Sequence, residues 1–366
     1  MKRRRRVKKL YQRCGLSICL LCIGAHAKAD NVVLYGIVDT GVAYLTNTTQ
    51  SHGNTVETPL LTGTVPSRWG LKGSENLGDG VQVIFDLENG FSVANGTVQQ
   101  GGRLFGRNAY VGLSSDTYGT LTFGRQLTML DESLAYGDLI GPSLFSLADF
   151  DSYIPNARAD NSVRYMFSIP HVKFGATYSF GRDGACGPPP AANCAGQVAG
   201  DFLACRDISF MAGFEFGPGG ASVAYDEQRG NTGDTDGLTT PQQKHMRMLA
   251  NGYFWVGPVK FGGGWYGQKI EAAKDATINI YFAGASWNPT PALNLTGQVA
   301  REIVAQNSDS TLYIARAEYS LSAVTAAYVM YAYMKNSAKA AVPLGAASVG
   351  LGLNSQGVMV GLRHMF

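Results

Sequence analysis

The chain has 366 residues with a formal net charge of +3, 46 glycines, 18 tyrosines and 17 phenylalanines. Its apolar residues never run on for the roughly 18 positions that a membrane-crossing helix needs, and its mean hydropathy is close to zero. The first 29 residues hold nine Lys/Arg and no Asp/Glu, so their removal turns +3 into −6 and takes away any argument for a nucleic-acid partner.

Those residues read as an export signal. A basic run, Arg3 to Arg6 with Lys2, Lys8 and Lys9, precedes an apolar stretch at 16–23 that is too short to span a bilayer. Small residues with A-x-A spacing follow at Ala25, Ala27 and Ala29. Cleavage is expected after Ala29, leaving Asp30 as the mature N-terminus of a single domain, 30–366.

From residue 32 to the last residue the chain alternates with period two. Leu293, Leu295 and Val299 alternate with Asn294, Thr296 and Gln298, and Tyr313, Ala315, Ala317 and Tyr319 with Arg316 and Glu318. Met246, Met248 and Ala250 alternate with His245, Arg247 and Asn251. Such strands separate an oily side from a wet side. Sixteen of these segments begin near residues 32, 64, 79, 103, 119, 161, 171, 206, 220, 244, 258, 276, 292, 310, 322 and 356, many of them long enough to cross a membrane when tilted.

A soluble β-sandwich would share the alternation, so the connections arbitrate. Short turns at 76–80, 114–119, 168–171, 217–220, 256–258, 288–291 and 321–323 alternate with longer loops at 46–63, 92–102, 127–158, 182–205, 230–243, 271–275, 303–309 and 336–355. This rhythm predicts a 16-stranded antiparallel transmembrane β-barrel, closed because an open edge in lipid leaves backbone groups unpaired. About sixteen strands enclose an aqueous lumen, whereas eight are filled by their own side chains.

Three cysteines survive removal of the signal. Cys186, Cys194 and Cys205 lie in one Gly/Pro/Ala-rich loop, where a single disulfide has three possible pairings and leaves one thiol over. No histidine stands near them, and no metal or other cofactor is expected.

Several passages carry a family likeness: LYGIVD at 34–39, SRWGLKGSENLG at 67–78, FDLENG at 85–90, LFGRNAYVGL at 104–113, GTLTFGR at 119–125, NSVRY at 161–165 and GLRHMF at 361–366. With them the chain resembles the general porins of Gram-negative outer membranes, particularly the β-proteobacterial type, over essentially its whole mature length. The resemblance implies a homotrimer in the outer membrane, in contact with lipid and lipopolysaccharide, passing ions and small hydrophilic solutes by diffusion. It implies that the third outer loop, about 126–159, folds inward and narrows the channel. It also makes the terminal aromatic Phe366 the end signal read by the barrel-assembly machinery. The Pro-Glu-Phe-Gly-Gly tip of many relatives is replaced here by IGPSL at 140–144.

Porin-like pores set a charged wall against an acidic constriction loop, and fixed charges at a narrow aqueous path select ions. Arg68 and Lys72 share a face by period two, Arg107 matches the family motif, and Arg158 and Arg164 flank the return from the third loop. The loop offers Asp131, Glu132, Asp138, Asp149 and Asp151. Each of these charges has an ordinary alternative as a solvated rim position. The basic cluster leads to an expected modest anion preference. Arg125 shares parity with the apolar Leu121 and Phe123 and is expected to face outward. Tyr35, Trp69, Tyr110, Trp287 and Tyr319 are candidates for interfacial girdles. Gly-x-Ser-x-Gly is absent and the mature chain's four histidines, at 52, 171, 245 and 364, sit in no catalytic pattern, which argues against a barrel enzyme. A solute-specific channel with an aromatic track at Tyr328, Tyr331 and Tyr333, and a surface adhesin, are the remaining alternatives.

Overall fold

The computed structural model describes residues 31–182, 194, 196–231, 237–304, 308–345 and 348–366. The expected signal, its cleavage site and Cys186 lie outside them. Strand β1 (Asn31–Leu45) opens the sheet and is followed by a short strand β2 (Thr55–Glu57) in the first outer loop. The next six are β3 (Arg68–Gly78), β4 (Val81–Gly90), β5 (Asn108–Ser115), β6 (Gly119–Leu127), β7 (Arg158–Ile169) and β8 (Val172–Ser179). The wall continues through β9 (Asp207–Phe216), β10 (Gly219–Arg229), β11 (Lys244–Val256), β12 (Val259–Glu271) and β13 (Ala276–Thr290). It ends with β14 (Leu293–Val304), β15 (Ser310–Ser320), β16 (Thr325–Asn336) and β17 (Ser355–Met365). From β3 on, each strand pairs antiparallel with the next, and β1 pairs with β3 on one side and β17 on the other. With β2 set aside as a loop element, sixteen strands close a barrel.

Starts expected near 64 and 103 fall at Arg68 and Asn108, because the first and second outer loops run further before the ladder resumes. The missed strand β2 is three residues long, below the reach of a period-two signal.

The outer face is apolar by alternation. Val42 and Val360 lie opposite each other across β1 and β17, and Phe123, Phe174, Phe210 and Val223 are likewise exposed. On such a surface lipid replaces water, at about 25 cal/mol per Å² of apolar area.

The seam beside β1 is irregular. β1 pairs with β3 through Ile37 and with β2 only from Ala43, so the ladder has a gap between them. The Asp39 carboxylate fills it, accepting from the amides of Thr64 and Val65 at 2.9 Å each, from the Thr64 hydroxyl, and from Tyr328 Oη at 2.6 Å on β16. Gly63 has no Cβ here because one would fall 2.0 Å from Asp39 Oδ1. Asp39 is 1% exposed, so these donors have no water to turn to. Just before this gap, Gly36 and the terminal Phe366 exchange amide–carbonyl bonds of 2.9 and 3.0 Å.

The third outer loop crosses the inside of the barrel. Helix α1 (Met129–Leu134) buries Met129, Leu130 and Leu134 with Leu147 and Ile154 against Met211, Leu249, Tyr266, Ile280 and Phe282 of β9 and β11–β13. Further on, Ile140, Leu144 and Phe145 pack on Leu45, Leu312, Ile314, Met330 and Met359. One loop touches both walls only by lying in the lumen. Gly262–Gly264 are in β12, and a Cβ on Gly262 would meet the Gly137 carbonyl of the loop at 2.6 Å. Removing the seam carboxylate by Asp39→Ala strands two buried amides and two hydroxyls. The loss should be about 3 kcal/mol or more, seen as a lower temperature for loss of compact gel mobility, with Asp39→Asn in between.

Candidate functional site

The inner wall of β1, β3, β4 and β5 carries one interlocked charge network. Glu88 of β4 accepts from Arg107 Nε at 2.5 Å and pairs with Arg68 Nε at 3.3 Å. Asp86, two residues earlier and so on the same face, accepts from Asn108 Nδ2 at 3.0 Å. Tyr35 Oη donates to Asp86 at 2.8 Å and Glu88 at 3.0 Å, and Lys72 Nζ lies 4.9 Å above the Tyr35 ring. Gly70 makes this reach possible: a Cβ there would press on the Tyr35 ring at 2.8 Å. Arg158 joins the cluster through Nε to the Arg107 carbonyl at 2.8 Å and Nη1 to the Pro155 carbonyl at 3.1 Å.

Helix α1 presents two carboxylates, Asp131 toward Arg107 and Arg158 and Glu132 toward β7 and β8. Glu132 accepts from Arg164 Nη2 at 2.5 Å and from Lys173 Nζ at 3.1 Å. Asp131 lies in the field of Arg158 and Arg107, yet burial pushes its carboxyl up to about 6. The structure therefore brings together Arg68, Lys72, Arg107, Arg158 and Arg164 with Asp131 and Glu132.

Asp138, Asp149 and Asp151 sit elsewhere and tie the loop down. Asp138 accepts from Gln298 Nε2 of β14 at 2.8 Å, next to Arg316, which donates to the carbonyl of Ile140 at 3.0 Å. Asp149 accepts the Gly345 amide of the last outer loop at 2.9 Å; burial, with no cation beside it, raises its carboxyl to about 8. Asp151 accepts from Arg247 Nε at 2.9 Å and Tyr266 Oη at 2.5 Å, and the Arg247 guanidinium stacks 4.2 Å above the Tyr153 ring. Asp207 and Asp226 flank the Tyr153 hydroxyl at 3.4 Å each.

Several expectations change. Tyr35 faces the lumen rather than a girdle, because its hydroxyl finds carboxylates there. Tyr110 lines a recess with Arg164, Glu132 and Lys173, so it too faces inward. Tyr319 and Trp287 are exposed on the outside. Tyr328 is buried on Asp39 while Tyr331 is exposed, so the expected alternative of an aromatic track does not form. Arg125 keeps the parity of Phe123 but is buried there, donating to the Gly106 carbonyl at 2.6 Å and pairing with Asp160, where β7 carries one residue more than β6 between Ser162 and Ala159. In the fourth outer loop Cys194 is joined to Cys205.

The network's carboxylates Asp86 and Glu88 were not singled out from sequence, although their spacing in FDLENG, opposite Lys72 and Gly70, held the signal. Asp151–Arg247, by contrast, spans 96 residues and leaves no local trace.

A closed sixteen-stranded barrel with an oily exterior and a charged passage narrowed by its own loop defines a membrane channel. The sequence model described as Gram-negative porin matches residues 16–339. An outer membrane porin protein of Bordetella pertussis is 30% identical over 385 residues, covering 94% of this chain and 96% of that protein. Outer membrane porin protein 32 of Delftia acidovorans is 28% identical, covering 95% and 97%. Among solved structures, an anion-selective porin from Comamonas acidovorans superposes with a TM-score of 0.77 at 24% identity, covering 92% of this chain and 99% of that one. The chain belongs to the Gram-negative porin family. It is an outer-membrane porin, a water-filled channel for passive diffusion of ions and small hydrophilic solutes.

Replacing Arg247 by Met should leave Asp151 buried without its cation, at a cost of about 3–5 kcal/mol to loop docking. Single-channel records should show a larger and noisier open state than wild type, with barrel melting little changed.

Proposed function

We propose that this porin prefers anions, with its narrowest part set by Arg68, Lys72, Arg107, Arg158 and Arg164 on the wall against Asp131 and Glu132 on the loop. One observation carries the reading: the carboxylates are shared. Glu88 serves both Arg68 and Arg107, and Glu132 serves both Arg164 and Lys173, so each arrangement leaves a positive charge over. Charges further than about 8 Å from a permeating ion are screened at physiological salt, so this local excess outweighs the mature chain's net −6. Asp138 belongs to the same loop but supports its docking on β14 rather than the charge balance of the path.

The working unit in this reading is a homotrimer with a pore in each subunit, seated among outer-membrane lipid and lipopolysaccharide. The chain is exported by a signal cleaved after Ala29, and Phe366, whose backbone closes on Gly36, serves as the end signal for barrel assembly. Closure of the conductance in three equal steps tests the trimer, and the N-terminal residue of the purified protein tests the cleavage.

The reversal potential across a potassium chloride gradient tests the selectivity, with chloride expected to permeate better than potassium. The preference should also grow as pH falls. Asp131 titrates near 6, so it is charged at pH 7 and largely protonated at pH 5, which removes a negative charge from the path. A chloride preference that rises between those values in wild type, and stays flat in Asp131→Asn, is the expected result. A potassium preference at pH 7 overturns the proposal.

A further inference from the structure

At the outer mouth, beneath the first, second and last outer loops, the third loop leaves a recess of about 330 Å³. That is within the range of small-molecule sites, which begin at about 300 Å³. Its walls are Pro66, Pro142, Pro155 and Pro343 with Leu144 and Phe150. An apolar recess is out of place beside a hydrated passage, since water inside it forgoes hydrogen bonds. Four prolines hold the walls at fixed backbone angles, so an occupant would lose little affinity to reorganisation.

The polar groups of the recess are few. Arg107, 8% exposed, lines it; its Nε is held by Glu88, and neither Nη donates a hydrogen bond to any described residue. Thr62 Oγ1 and Gln100 Oε1, on two further lining residues, are buried with no hydrogen-bond partner among the described residues. The one carboxyl among the lining residues, Asp149, is raised to about 8 and so carries little charge at pH 7 to repel an anion.

We propose that this recess is a docking site for small organic anions that join an apolar ring to one carboxylate, the carboxylate on Arg107 and the ring among the prolines and Phe150. The proposal deepens the anion reading and rests on it. The two fail separately, because chloride against potassium permeability is measured with no organic anion present. Arg107 supplies the charge-assisted bond and the fixed walls supply the fit to a flat ring.

The test is current noise through the reconstituted porin in symmetric potassium chloride with sodium benzoate added on the loop side. Benzoate should produce concentration-dependent transient closures. Acetate, which lacks the ring, and benzyl alcohol, which lacks the charge, should each be about tenfold weaker or less effective still. Acetate matching benzoate would reduce the effect to the charged wall alone, and benzyl alcohol matching it would reduce it to apolar partition; either result overturns the proposal. Ala148→Phe, which fills the recess from the loop side, should remove the benzoate closures while conductance in plain chloride stays within about twofold. Leu61→Trp, on the exposed rim of the recess, gives the same reading if Ala148→Phe does not fold. Benzoate closures undiminished in a folded variant overturn the site.

Discussion

Every backbone amide and carbonyl in the hydrocarbon layer must find a partner within the protein, since an unpaired one costs several kcal/mol or so. The ladder meets this by closing, and the closure is least regular beside β1, where the chain leaves the pairing between Ile37 and Ala43. A carboxylate, Asp39, stands in for the missing partners and binds β16 through Tyr328 at the same time. Arg363 extends this seam, donating to the Thr64 hydroxyl and to Glu318 at 3.0 Å each. Once the ring is closed, its circumference is set by strand number, and a lumen follows.

The lumen is not simply the polar side of an alternating sheet. Over β9 to β17 the inward positions include Leu249, Ile280, Phe282, Leu312, Met330 and Met359, which would be misplaced against water. They are the dry bed of the third loop. The loop in turn buries α1 and Phe145 there, with Asp138, Asp149 and Asp151 pinning it to β14, the last outer loop and β11. The loop thus covers the apolar side and faces, across from it, the wall that carries Arg68, Arg107 and Glu88.

Much of this was legible in particular residues. Arg68 and Lys72 share a face because side chains alternate with period two, and their place follows from that alone. Glu132 facing Arg164 was half legible, since one lies in the third loop and the other flanks its return. Tyr35 shares the parity of Asp39 and so faces inward, but its partners were not legible, because the Gly70 opening and the Asp86 and Glu88 carboxylates belong to other strands. Arg125 kept the parity read for it, but its burial was not legible, because the Asp160 that pairs with it is placed by an extra residue in β7, invisible in the alternation of β6. The loop acids looked equivalent in sequence, and long-range partners divided them into acids that face the basic wall and anchors for the loop.

By itself the sequence determined the strand count, the short–long rhythm of the connections and which charges could share a face, since all of these depend on local period and composition. The tertiary structure decided the rest: which carboxylate is shared by which arginines, which side of the lumen the loop covers, and that Cys194 meets Cys205. These depend on contacts between residues tens to hundreds of positions apart, and on side-chain fit within a closed ring. Neither leaves a periodic mark on the chain.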